Sequence, residues 1–157
     1  MADMEAIKST ISEVFDRMGF GDAVLEITAH QGTTSRIAVR LRGDARMLIG
    51  EHGANLAALE HVLRKIVQKK FGAEQRFSLD LNDYRMRRME DLKQDVKAAA
   101  KEVRLYRRPV PLKPMSSFER RVVHLLLEEY PDITTESIGQ DEERRVVIKP
   151  FAPSASL

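Results

Sequence analysis

Two short stretches combine residue types and spacings suited to holding a nucleic-acid strand. The first is Gly50-Glu51-His52-Gly53. Glycines at both ends of a tight turn let a sugar–phosphate backbone approach where Cβ atoms would clash. A helix starting just beyond the turn would aim its unpaired N–H groups and its dipole at any phosphate held there. The second is Phe118-Glu119-Arg120-Arg121-Val122-Val123-His124, in which Arg120 and His124 stand four residues apart and share one helical face. Arg supplies a planar charge for phosphate or base stacking, and His a hydrogen-bonding ring beside it. Neither stretch is specific alone. Gly-x-x-Gly strings recur as plain helix–helix turns, and an Arg/His pair at this spacing is usually structural, so their weight comes from the surrounding elements.

Residues 4–18 place Ile7, Ile11, Val14, Phe15 and Met18 at three- and four-residue steps, the period of an amphipathic helix. Gly19 and Gly21 end it. AVLEITA and RIAVRLR then alternate apolar with polar and predict a hairpin of two half-buried strands, with Leu25, Ile27, Ile37, Val39 and Leu41 inward and Arg36, Arg40 and Arg42 outward. Asp44 is suited to cap a short helix through Ile49. After the glycine turn a long helix is expected over 54–71, burying Leu56, Leu59, Leu63, Ile66 and Val67, and Arg76–Asn82 forms a third strand. Downstream, a helix over 84–105 carries Met89, Leu92, Val96, Ala99, Ala100 and Val103 on one face, with Arg85, Arg88, Lys93, Lys97, Lys101 and Arg104 over the rest. Three prolines keep Arg107–Pro114 extended. Ser116 or Ser117 caps a helix over 118–130, and residues 133–138 and 144–149 pair as strands.

The net charge of +2 conceals an uneven distribution. Residues 1–82 hold 11 basic and 11 acidic side chains, residues 83–121 hold 12 against 6, and residues 122–157 hold 3 against 7. The basic middle is the electrostatic footprint of polyanion binding. Absence of Cys removes disulfides, thiolate nucleophiles and cysteine zinc sites, and fits a reducing compartment. His30, His52, His61 and His124 make no metal-ligand spacing, so neither a metal nor a cofactor is expected. No nucleotide-binding or nucleophile-elbow motif is present, which points away from catalysis. The acidic opening MADMEAIKST argues against export, and no apolar run is long enough for membrane insertion, so a cytoplasmic location is expected.

The order helix, two strands, two helices, strand, with Gly50–Gly53 between the two helices, resembles the type II KH domain. KH modules grip about four nucleotides of single strand at such a turn. The stretch around Arg120 and His124 resembles the R-3-H domain, a small module that binds single-stranded nucleic acid. Together, LIG-x-x-G in the first half and PMS-x-x-ERR-x-x-H-L in the second resemble the bacterial Jag (SpoIIIJ-associated) family over roughly residues 20–150. The expected fold is α+β: a KH domain over 1–82, a small α/β R-3-H domain over 83–150 and a tail over 151–157. The residues before the first strand are read as the first KH helix, leaving no room for the Jag-N domain found in many members.

The resemblance implies single-stranded RNA binding, with single-stranded DNA as the alternative ligand. It also implies an association with cell elongation, division or sporulation, and protein partners in the elongation machinery. The expected contacts are Gly50, Glu51, His52, Gly53 and Arg46 in the first half, and Arg85, Lys113, Arg120, Arg121 and His124 in the second. Leu48, Ile49, Ala54 and a face of the Ile37–Leu41 strand are expected to receive bases. Glu51 is the discordant residue, because a carboxylate repels phosphate unless Arg40, Arg42, Arg46 or a protonated His52 compensates. It supports a rival reading, a protein-interaction adaptor with a KH fold of weak RNA affinity.

Overall fold

The computed structural model describes residues 3–151, so the tail expected over 151–157 lies outside the described residues except for Phe151. The chain divides into two compact units, Met1–Met86 and Arg87–Leu157.

The first unit runs α1 (Met4–Arg17), β1 (Val24–His30), β2 (Ser35–Leu41), α2 (Arg46–Ile49), α3 (Ala54–Phe71) and β3 (Phe77–Leu81), the expected order of elements. Strand order is β1-β2-β3, with β1 and β2 antiparallel and β2 and β3 parallel. Ile7, Ile11 and Phe15 of α1 share a core with Leu56, Leu59, Leu63 and Val67 of α3 and with Ile37, Val39, Phe77, Leu79 and Leu81 of the sheet. Asp3 caps α1 by accepting from the Glu5 N–H at 3.2 Å. Leu25 departs from the expected alternation. A bulge shifts the register between Val24 and Glu26, and Leu25 is 48% exposed rather than inward.

Glu60 of α3 is buried against β3. Its carboxylate accepts from the Leu79 N–H at 2.8 Å and pairs with Arg64 at 2.7 Å and Arg85 at 3.1 Å. Arg64 also donates from Nε to the Phe77 carbonyl at 2.7 Å, and Gln68 donates to the Gln75 carbonyl. The corner after β3 is fixed by polar side chains. Buried Asp80 accepts from Arg36 at 2.8 Å and from the Arg85 N–H at 3.2 Å, and Asn82 accepts from the Leu41 N–H at 2.7 Å.

The helix α4 (Tyr84–Tyr106) begins in the first unit and continues into the second. There follow β4 (Val110–Pro111), α5 (Ser117–Leu127), β5 (Ile133–Ile138) and β6 (Arg145–Pro150). The sheet order is β4-β6-β5, antiparallel throughout. The prolines do keep 107–114 extended, but no local pattern signals that Val110–Pro111 joins the sheet. Donation from Leu112 to Val146 and from Met115 to Arg144 prolongs that attachment. Leu92, Val96, Ala99, Ala100 and Val103 of α4 share a core with Leu112, Met115, Val123, Leu127, Ile133, Val146 and Ile148.

Ser116 caps α5 through a reciprocal pair. Its hydroxyl accepts from the Glu119 N–H at 3.2 Å, and Glu119 accepts from the Ser116 N–H at 2.8 Å. The second Glu119 oxygen takes Arg88 Nε at 2.5 Å, joining α5 to α4. Burial by itself raises the Glu119 carboxyl's pKa, but Arg88 and the Ser116 bonds outweigh it and hold the group below its ordinary value near 4.5. A carboxyl with a depressed folded value adds stability above its unfolded value and loses it as pH falls through the folded one. Glu119→Gln keeps an acceptor for the cap but removes the charge facing Arg88. In urea denaturation it is expected to be less stable than the parent at pH 7, by on the order of 1–3 kcal/mol. The gap should close as pH falls below the ordinary value near 4.5 and through the depressed folded one; a gap that persists once the carboxyl is protonated would contradict this account.

Candidate nucleic-acid interface

In the first unit the Gly50–Gly53 turn links α2 to α3 as expected, and its geometry requires both glycines. Gly50 has φ 72° and ψ 176°, and a Cβ there would lie 2.6 Å from Asn55 Cγ and 2.8 Å from the Asn55 backbone nitrogen. Gly53 has φ 77°, and its Cβ would meet the Tyr84 ring at 3.1 Å. Asn55, which no sequence motif singles out, donates to the Met47 carbonyl at 2.8 Å and staples the turn to the end of α2. His52 adopts a left-handed φ of 52°.

Some of the expected phosphate donors are used internally. The Gly53 N–H donates to the Gly50 carbonyl and the Ala54 N–H to the Glu51 carbonyl. No side chain caps the start of α3. Two of the three arginines expected to offset Glu51 have partners of their own, whereas Arg42 is exposed and makes no ion pair with the described residues. Arg46 holds Asp44 at 2.6 Å, and Asp44 also accepts the Arg46 N–H. The hydrogen bond from Arg46 lowers the Asp44 carboxyl below its ordinary range. Arg40 pairs with Glu26 at 3.4 Å. Glu51 is exposed, with His52 Nε2 3.8 Å from its carboxylate.

The apolar surface beside the turn also differs from expectation. Leu48, Ile49, Ile37 and Val39 are buried in the core and have no face left for a base. The exposed apolar side chains there are Met47, at 71%, and Ala54, which of the expected base contacts does lie on the surface. A four-residue helix offers too little periodicity to show that the core consumes Leu48 and Ile49.

In the second unit the structure brings Arg120, Arg121 and His124 together on α5 and gives each a different task. Arg120 donates from Nη1 to the Met115 carbonyl at 2.8 Å, holding the segment that leads into the helix. His124 has Nδ1 2.6 Å from Thr135 Oγ1 and Nε2 3.1 Å from Ser137 Oγ, so two hydroxyls of β5 clamp its ring. Both ring nitrogens of the expected hydrogen-bonding His124 are thus engaged with hydroxyls of the protein itself. Arg121 is exposed and makes no ion pair with the described residues, and the same holds for Lys113. Arg85 is engaged with Glu60 and belongs to the first unit. Phe118 and Leu125, 61% and 62% exposed, flank Arg121 on the outer face of α5. Neither was expected from the sequence, although their three- and four-residue offsets from Arg121 are visible in it.

Residues 87–150 match the model of the R-3-H domain family. An R-3-H domain is thus present over these residues. The chain is also similar to proteins described as RNA-binding protein KhpB. It is 34% identical over 139 residues to that of Clostridium symbiosum, covering 88% of this chain and 62% of the relative. It is 36% identical over 102 residues to that of Lactiplantibacillus plantarum, covering 65% and 32%, and 34% identical over 106 residues to that of Bacillus subtilis, covering 66% and 51%. The chain thus spans between about one third and three fifths of these relatives' length. They bear out the expected relationship to the Jag family, to which KhpB belongs, and the R-3-H domain bears out the reading of the second half. None of the described helices is long and apolar enough to cross a membrane, and no group of acidic or His side chains among the described residues is arranged to hold a metal.

The two glycines should respond differently to alanine. Gly50→Ala forces a Cβ into backbone and is expected to cost on the order of 3 kcal/mol. Gly53→Ala adds mainly left-handed strain and should cost about 1 kcal/mol. Urea denaturation of both variants tests the order; equal losses would mean that the turn relaxes around Gly50.

Proposed function

We propose that this chain binds single-stranded RNA without catalysing a reaction, with the R-3-H domain as the charge-driven site and the Gly50–Gly53 turn of a KH domain as a weaker second site. One observation carries the reading: the outer face of α5, where the uncommitted Arg121 stands between exposed Phe118 and Leu125. A guanidinium for phosphate beside an apolar surface for a base is the pairing that single-strand binders use. The exposed lysines of α4, Lys97 and Lys101, add cationic surface in the same unit. The RNA-binding names of the KhpB relatives agree with this reading. The proposed setting is the cytoplasm, and the proposed targets are transcripts of cell elongation, division or sporulation. Crosslinking in cells followed by sequencing of the attached RNA would identify them.

Fluorescence anisotropy with a short labelled RNA provides the test. Affinity should fall steeply as salt rises, because Lys and Arg contacts release counterions. Arg121→Ala should weaken binding several-fold with no loss of melting temperature, whereas Arg120→Ala combined with His124→Ala should lower both. A flat salt profile, or undiminished affinity in Arg121→Ala, would reject the assignment. A matching single-stranded DNA, run alongside, tests whether the site depends on the 2′-OH.

Glu51 favours a second reading, in which the first unit serves as an adaptor with little RNA affinity. Glu51→Lys separates the two. A turn that contacts phosphate should tighten by several-fold, and an unused turn should not respond.

A further inference from the structure

A cavity of about 390 Å³ opens between α5 and β5, lined by Arg121, His124, Leu125, Glu128, Ile133 and Thr134 among others. Its ends differ in charge. Arg121 lies at one end and Glu128, seven residues on along the same helical face, at the other. That separation is about 10 Å along the axis. Between them Leu125 and Ile133 give an apolar floor, and Thr134 and Thr135 a hydroxyl rim. Glu128 is exposed and makes no ion pair with the described residues, although Arg121 stands on its own face.

A cation, an apolar floor and an uncommitted carboxylate in this order match one nucleotide of a single strand: phosphate, base plane, base edge. A carboxylate only accepts hydrogen bonds. Guanine offers it two adjacent donors on the Watson–Crick edge, N1–H and the N2 amine. Adenine and cytosine each offer one donor beside a ring nitrogen that repels the second oxygen, and uracil offers one N–H between two carbonyls. We propose that this cavity is a base pocket selective for guanine, in which Glu128 reads the Watson–Crick edge and Arg121 holds the adjoining phosphate. This rests on the reading of the R-3-H domain as a single-strand site. It explains why a carboxylate borders a polyanion's path: it faces a base edge, not the backbone.

The test uses the whole chain and a labelled oligouridine whose central base is uracil, adenine, cytosine or guanine, measured by anisotropy. A bidentate contact should favour the guanine strand by about tenfold. In Glu128→Gln one acceptor becomes a donor, so that preference should vanish while the all-uridine strand binds as before or slightly tighter. A general electrostatic effect would instead tighten all four strands together. If the parent chain binds the four strands equally well, the guanine pocket is wrong and the RNA-binding reading stands. If Glu128→Gln keeps the preference, Glu128 is not the reader. If the parent chain binds none of them, both readings fail.

Discussion

Of the three buried carboxylates among the described residues, Glu60, Asp80 and Glu119, two tie a helix to its surroundings, Glu60 in the first unit and Glu119 in the second. A buried carboxylate is tolerated only when its oxygens are paired, because a lone charge out of water is prohibitively costly. Glu60 meets that condition with the Leu79 amide, Arg64 and Arg85. Glu119 meets it with the Ser116 amide and Arg88. In each case a helix is fixed against a backbone N–H and an arginine at once, which sets its rotation as well as its position. The face of α5 that carries Arg121 follows from the rotation that Glu119 imposes. The docking of α3 on β3, and with it the helix end where the glycine turn sits, depends in the same way on Glu60.

The arginines show how little net charge says about a binding surface. Around the glycine turn, Arg46 and Arg40 are held by Asp44 and Glu26, and Arg36 by Asp80. In the R-3-H domain, Arg104 pairs with Asp132 at 2.7 Å while lying over the Tyr130 ring. What remains for a polyanion is the smaller set without carboxylate partners. The charge excess counted along the chain therefore overstates the number of cations left for a polyanion.

Periodicity made the architecture legible. Apolar residues at steps of two and of three to four placed every main helix and strand, and Gly50–Gly53 fell between the expected helices. A cap at Ser116 or Ser117 was also readable, though not the return bond from Glu119. What escaped depended on long-range pairing. A two-residue strand at Val110–Pro111 carries no pattern of its own. The bulge at Val24–Glu26 exposes Leu25 against its alternation. The clamp on His124 needs Thr135 and Ser137 to arrive from another strand, which the local sequence around the Arg/His pair does not announce. For the same reason Leu48 and Ile49 were assigned to a ligand when the core had claimed them.

The side chains of α3 laid along β3 have a further consequence. An outer strand normally leaves a row of backbone groups that another extended chain could pair with. Here Glu60 occupies the Leu79 amide and Arg64 the Phe77 carbonyl, while Gln68 reaches the Gln75 carbonyl just before the strand. At the opposite margin, β1 carries a bulge and the charged Glu26–Arg40 pair. Both margins of this small sheet are therefore poor templates for a stray strand. The sheet is in this way built to refuse extended polypeptides, its own unfolded copies among them.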